Sequence, residues 1–155
     1  MQVQEVMARA VFTSGVEEPL SAPARLMWER DIGSVPIIGA DGKLAGVITD
    51  RDICMAALFT GEPLCAMPTA EHMSRQVFTA RRDQSVESAE QLMREKQIRR
   101  LPVVDDTGAV VGMLALGDIA RAAAARGRKA IGVDELAATL AAVSQPRAVG
   151  ARATA

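Results

Sequence analysis

Thr49-Asp50-Arg51-Asp52 gathers a hydroxyl, a guanidinium and two carboxylates where the apolar run Leu44–Ile48 gives way to a helical pattern. A helix starting there presents unpaired N–H groups and partial positive charge, which suit a phosphate. The Thr49 hydroxyl can donate to a phosphate oxygen. An ionised Asp52 only accepts, so it suits the paired hydroxyls of a ribose and repels a phosphate. Thr and Asp are also favoured helix caps, and on the turn alone capping explains them equally well. Other chemistry is sparse. His72 is the only histidine, which on count excludes a His-centred metal site or triad. Thr13, Ser14 and Ser34 have no His or paired Lys at a recognisable spacing, so no nucleophile–base pair is legible. Cys54 and Cys65 are too few for a disulfide framework or a four-ligand metal site. Free thiols are expected of them, with a regulatory disulfide as the alternative.

The elements that must position these residues come from a chain of 155 residues, 49% hydrophobic and 24% charged. That length suits one ordinary domain or two very small ones. Lys and Arg number 18 against 19 Asp and Glu, and the isoelectric point is near 5.9. The balance argues against a nucleic-acid binder, and 3% aromatic residues are too few for base-stacking platforms. No run approaches the roughly 18 apolar residues of a membrane span, and the N-terminus lacks a signal-peptide pattern. A cytoplasmic protein is expected, with no nucleic-acid or membrane partner.

Sliding the chain on itself by about 66 residues aligns Glu5–Leu58 with Glu71–Ala124 without a gap. About 17 identities fall in roughly 54 positions, against ~3–5 by chance. They include Val11-Phe12-Thr13/Val77-Phe78-Thr79, Pro36/Pro102, Gly42/Gly108, Gly46/Gly112 and Asp52/Asp118. Each copy predicts β-α-β-β-α. Val11–Thr13 and Val77–Thr79 read as short strands, and Leu20–Asp31 and Val86–Gln97 as helices with apolar stripes. Val35–Ile38 and Leu101–Val104 read as buried strands, with Pro36 and Pro102 marking a strand start or edge. Asp41-Gly42 and Thr107-Gly108 turn into Leu44–Thr49 and Val110–Ala115, and final helices start near Asp50 and Leu116.

The expected division is a first repeat over 1–59, a linker over 60–69, a second repeat over 70–125 and a tail over 126–155. A basic helix end at Arg126-Gly127-Arg128-Lys129 precedes a helix over 133–144 with Leu136, Leu140 and Val143 on one side. The end of the tail, 147–155, is expected to fray. His72 is placed exposed on a short helix around Glu71–Ser74. The eight methionines are assigned mostly to helix core positions, and Trp28 to a partly exposed interface.

The doubled Gly-x-x-Thr-x-x-Asp turn resembles a known family, the tandem cystathionine β-synthase (CBS) domain pair. Gly46-Val47-Ile48-Thr49-Asp50-Arg51-Asp52 carries it, together with Ser34-Val35-Pro36 and Val11-Phe12-Thr13. The resemblance spans Met1 to about Ala125, and the arrangement also resembles small stand-alone bacterial pairs. It implies an α/β (α+β) fold of two pseudo-symmetric repeats packed sheet to sheet, plus a short C-terminal helix. It also implies an adenosine-containing ligand in the cleft between repeats: AMP, ADP, ATP or S-adenosylmethionine. The matching positions are Thr13, Ser34, Val35, Pro36, Thr49, Arg51 and Asp52 in the first copy. Pro102 and Asp118 match in the second. There Ala115 and Gly117 replace Thr49 and Arg51, while Arg99 and Arg100 stand where family members often hold phosphates with basic side chains. An exposed charged strand end is the other reading of those two arginines.

The expected function is a non-catalytic regulatory module, no cofactor being required, with an unknown regulated protein as partner. The alternatives are a ligand-free dimerisation platform and a redox or stress-response protein acting through Cys54 and Cys65. A homodimer is expected through helices that leave Met55, Leu58 and Met93 poorly covered.

Overall fold

The computed structural model describes residues 1–126 and 132–146. Apart from Arg126, the basic stretch expected to end the helix lies outside them, as does the tail from Arg147.

Two three-stranded sheets are built from β1 (Ser14–Gly15), β2 (Ser34–Ile38) and β3 (Leu44–Thr49), and from β4 (Ala80–Arg81), β5 (Arg100–Val104) and β6 (Val110–Ala115). The helices are α1 (Ser21–Arg30), α2 (Asp50–Thr60), α3 (Thr69–His72), α4 (Val86–Lys96), α5 (Leu116–Arg126) and α6 (Val133–Val143). In the first sheet β2 is central, parallel to β1 and antiparallel to β3. The second sheet repeats the order, with β4 parallel to β5. The mixed α+β fold expected from the repeat is the observed one.

Local chemistry explains most boundaries. Gly42 and Gly108 have φ of 77° and 86°, so each can make the tight turn before β3 and β6. Thr49 caps α2 and Gly61 ends it in a left-handed conformation. α1 and α4 both end on a left-handed non-glycine residue, Asp31 and Gln97. The opening strands are a correction. Val11–Thr13 and Val77–Thr79 lie outside any ladder, and pairing begins at Ser14 and Ala80, opposite Ile37 and Val103. The two phenylalanines of those segments instead sit under cations: the Arg30 guanidinium lies 4.6 Å from the Phe12 ring, and Lys96 Nζ lies 5.0 Å from Phe78. Pro36 is likewise neither at a strand start nor on an edge. It sits inside central β2, opposite Val47 of β3, and β1 is too short to reach it, pairing only with Ile37 and Ile38. Pro102 occupies the same place in β5.

The chain forms two compact units that cut across the sequence repeat. One comprises 12–77 with 106–110, the other 1–11, 78–105 and the described residues from 111 onward. In the first unit Leu20, Val35, Ile37, Ile48 and Ile53 pack with Met67 and Met73, which come from beyond the first repeat's helices. The 60–69 segment is therefore partly core: Met67 and Thr69 are buried, and Thr69 N–H donates to the Glu18 carbonyl at 3.1 Å. In the second unit Val3 joins Val86, Met93, Leu101, Leu114 and Ile119. Backbone bonds hold this N-terminal segment in place. Val3 N–H donates to Gln84 O and Gln4 N–H to Arg82 O, each at 2.9 Å, and Ala8 pairs with Met113.

Gly46 and Gly112 let these segments in. A Cβ on Gly46 would lie 2.5 Å from Met73 Sδ and 2.9 Å from the Ser74 carbonyl; one on Gly112 would strike Met7 Sδ.

Several side chains depart from expectation. Met93 is fully buried rather than poorly covered, and only Met27, Met55 and Met93 of the eight methionines lie on helices. His72 ends α3 half-buried rather than exposed. On α6 the face is rotated: Thr139 and Val143 are buried while Leu140 is exposed, because the helix docks on α4 through polar groups. Trp28 is 88% exposed. Cys54 and Cys65 are free and exposed. Among the described residues no helix is long and apolar enough to cross a membrane.

Candidate functional site

The first strand-to-helix turn is closed upon itself. Asp52 Oδ2 accepts from the Thr49 N–H at 2.9 Å and from its hydroxyl at 2.7 Å, while Thr49 Oγ1 accepts from the Asp52 N–H at 3.2 Å. This is a reciprocal capping box, and both side chains act in it. The Arg51 N–H donates to Asp50 Oδ1 at 2.7 Å, so the helix start is already partly satisfied. Two groups stay available: Asp52 Oδ1, which makes no hydrogen bond among the described residues, and the exposed Arg51 guanidinium. A phosphate would have to draw the Thr49 hydroxyl off Asp52, whereas a sugar hydroxyl could bond Oδ1 without disturbing the box.

The sheet gathers the other first-copy residues around this turn. Ser34 lies opposite Thr49 in the β2–β3 register, and Val35 and Pro36 follow it. Ser34, Val35 and Pro36 are buried, and Val35 belongs to the core, so it can offer only backbone. Thr13 is exposed immediately before Ser14, whose partner is Ile37. Thr13, Ser34–Pro36 and Thr49–Asp52 therefore share the N-terminal end of β2.

The second turn is built differently. Ala115 N–H donates to Asp118 Oδ2 at 2.7 Å, repeating half of the box without a hydroxyl. The Arg121 guanidinium binds the other oxygen, Asp118 Oδ1. Leu116 N–H donates to the Arg99 carbonyl at 2.9 Å, which ties the start of α5 to the residue before β5. Arg99 and Arg100 are both exposed there, and Pro102 is buried in β5.

Two features went unmarked in the sequence. Arg121 is one; an acid and a base three apart on a helix are too common to signal a site. The other is Glu18, whose Oε2 accepts from the Ser14 hydroxyl and, at 2.7 Å, from the Gly15 N–H. The Ser14 bond, then the Gly15 bond, hold its carboxyl below the usual range, against a smaller opposing effect of burial. Among the described residues no three His, Cys, Asp or Glu side chains form a metal cluster.

The model of the CBS domain matches this chain twice, over residues 3–58 and 70–125. The CBS domain-containing protein YhcV of Bacillus subtilis is 36% identical over 118 residues, spanning 76% of this chain and 82% of YhcV. Hypoxic response protein 1 of Mycobacterium tuberculosis is 37% identical over 120 residues, with the same two coverages. A hypoxic response protein structure with two coordinated zinc ions superposes with a TM-score of 0.70 at 33% identity, over 78% of this chain and 98% of that one. A CBS domain pair in complex with 5'-methylthioadenosine and S-adenosyl-L-methionine superposes with a TM-score of 0.73 at 29% identity, over 82% of this chain and 98% of that one. The repeat, the two sheets and both family matches agree: the chain belongs to the CBS domain family and carries the domain twice in tandem.

Proposed function

We propose that the protein is a non-catalytic regulatory module, located in the cytoplasm, that binds an adenosine-containing ligand of the AMP, ADP, ATP or S-adenosylmethionine class. The observation that carries this reading is the Asp52 carboxylate. One oxygen is fixed by the Thr49 backbone and hydroxyl, and the other is left to accept from outside at the end of β2. A carboxylate held this way accepts ribose hydroxyls with little loss of side-chain freedom. The exposed Arg51 supplies donors for a phosphate at this turn, and Arg99 and Arg100 supply them separately in the other unit, where a ligand has phosphates. The pair solved with 5'-methylthioadenosine and S-adenosyl-L-methionine supports an adenosyl class. Its output is a change in affinity for a regulated protein, set by the ligand's preference between two conformations.

A second reading, a ligand-free platform, is favoured by one observation: Thr49 and Asp52 already satisfy each other. Thermal unfolding with AMP, ADP, ATP, S-adenosylmethionine and 5'-methylthioadenosine separates the two. A ligand at ~100 times its Kd stabilises by about 2.7 kcal/mol. Absence of any shift at millimolar concentration selects the platform.

We also propose a homodimer through the helices of the first unit, where Leu58 is 68% and Phe59 81% exposed on α2. Light scattering at micromolar concentration should give twice the chain mass. Leu58→Glu or Met55→Glu should give the single mass, and the same change at exposed Lys43 should not.

A further inference from the structure

The contact between α4 and α6 encloses a carboxylate with no full set of partners. Glu90 is 1% exposed, and among the described residues its Oε1 makes no hydrogen bond. Ala24 stands at the matching position of α1, so the repeat does not require an acid there. Arg94, one turn further along α4, reaches across to α6 instead. Its Nη1 donates to Thr139 Oγ1 at 2.8 Å and its Nη2 to Glu135 Oε1 at 3.2 Å. Thr139, fully buried, has one hydroxyl proton for two acceptors, the Glu135 carbonyl at 2.9 Å and the Glu90 carboxylate. Gln97 Nε2 donates to the Ala142 carbonyl at 3.5 Å. The charges acting on Glu90 are Glu87 and Arg94 from its own helix and Glu135 from α6. Two of the three repel an ionised carboxylate, and the third is already engaged with Glu135. A buried carboxylate short of partners is costly when charged and far less so when neutral.

We propose that the α4–α6 contact is a proton-controlled latch: neutral Glu90 keeps the C-terminal helix docked, and ionised Glu90 releases it. Release uncovers Val143 and Leu136, which pack against the second unit's core. The electrostatics agree. Burial, then Glu135, raise the Glu90 pKa against the attraction of Arg94; Glu87 raises it further, and the Thr139 hydroxyl lowers it slightly. The sign follows from linkage. For an acid whose pKa is raised by docking, the docking advantage is complete below the usual carboxylate value of 4.5 and is lost as pH rises through the raised pKa.

The test is hydrogen exchange of the full chain from about pH 4 to about pH 8, corrected for intrinsic rates, with β5 and β6 amides as internal reference. In the wild type, α6 protection should fall relative to the reference by about tenfold for each unit by which docking raises the pKa. In Glu90→Gln, which is neutral at every pH, the α6 profile should be flat. Glu135→Gln keeps an oxygen for Arg94 but removes the repulsion, so its fall should be smaller and finish at lower pH. A wild-type α6 profile parallel to the reference overturns the latch, as does a fall that persists in Glu90→Gln. If Glu90→Gln does not fold, a Glu135→Gln profile identical to the wild type overturns it.

Discussion

The turn at Thr49–Asp52 and the turn at Ala115–Asp118 share a backbone and a carboxylate but differ in what the carboxylate has left to give. In the first, both bonds from Thr49 converge on Oδ2, and Oδ1 stays open. In the second, Arg121 takes Oδ1, and the residue at its place in the first copy is Met55. The guanidinium has in effect moved. It precedes the acid as Arg51 in one copy and follows it by one helical turn in the other, where it neutralises its neighbour. Duplication preserves a fold through apolar positions and caps, while a single charged residue three positions away decides whether the acid's second oxygen stays open.

The sharpest way to break this comparison is Asp52→Asn, which keeps size and a capping oxygen but removes the charge. Adenosyl ligand binding should weaken by ~1.5–3 kcal/mol, roughly ten- to a hundredfold. Asp118→Asn should cost under about threefold. Calorimetry giving equal affinities for wild type and both variants would place the site elsewhere. Next comes packing. Gly46→Ala meets a backbone carbonyl as well as Met73, whereas the three atoms nearest a Cβ at Gly112 all belong to the flexible Met7 side chain. Urea unfolding should show a loss of ~1–3 kcal/mol for Gly46→Ala and clearly less for Gly112→Ala.

Capping should differ in a graded way. Thr49→Ala removes a cap worth about 1 kcal/mol, and Ala115→Thr should add ~0.5–1 kcal/mol by completing the second box. Thermal melts of the two variants should move in opposite directions. Arg121→Ala should change stability little, since this arginine is 77% exposed. It should free Asp118 Oδ1 and make Asp118→Asn more costly to binding than in the wild-type background. The smallest effect concerns acid. Glu18 has a lowered pKa, so its share of stability is present above 4.5 and is lost as pH falls through the lowered value. Gln84 stands at the matching place and accepts from Arg81 N–H at 3.2 Å without titrating. Glu18→Gln should flatten the acid side of the melting profile and lower its neutral plateau slightly.

Helices, turns and the β3 and β6 strands were legible because caps, Asp-Gly or Thr-Gly turns and 3.6-residue periodicity mark them locally. α6 was found to within one residue, expected over 133–144 and observed over Val133–Val143. Its face was misread, because Leu140 fits an apolar stripe while the actual docking is dictated by Arg94, some forty positions earlier in the chain. Strands β1 and β4 are two residues long and exist only through pairing with β2 and β5, so no local pattern fixes where they start. Pro36 looked like an edge residue since a missing N–H usually demands one. The sheet tolerates it because the neighbouring strand stops short. Asp52 could be singled out from its turn, but whether its oxygens were spent depended on Thr49 and on what stood at Met55. The second of these is a question of partner choice that composition does not answer.

Residues 1–11 complete the unit that holds the second repeat, and this sets an order on how the protein can be made. Residues 3–8 leave the ribosome well before their hydrogen-bond partners at Arg82, Gln84 and Met113. They must wait, with Val3 unburied, until most of the chain has been translated. The unit over 12–77 can assemble most of itself earlier, so synthesis should proceed through a half-folded chain in which residues 1–11 are still unpaired. A bulky fusion at Met1 would then disturb the last part to fold rather than the first, and cutting the chain between the repeats would strand an eleven-residue segment on the wrong piece.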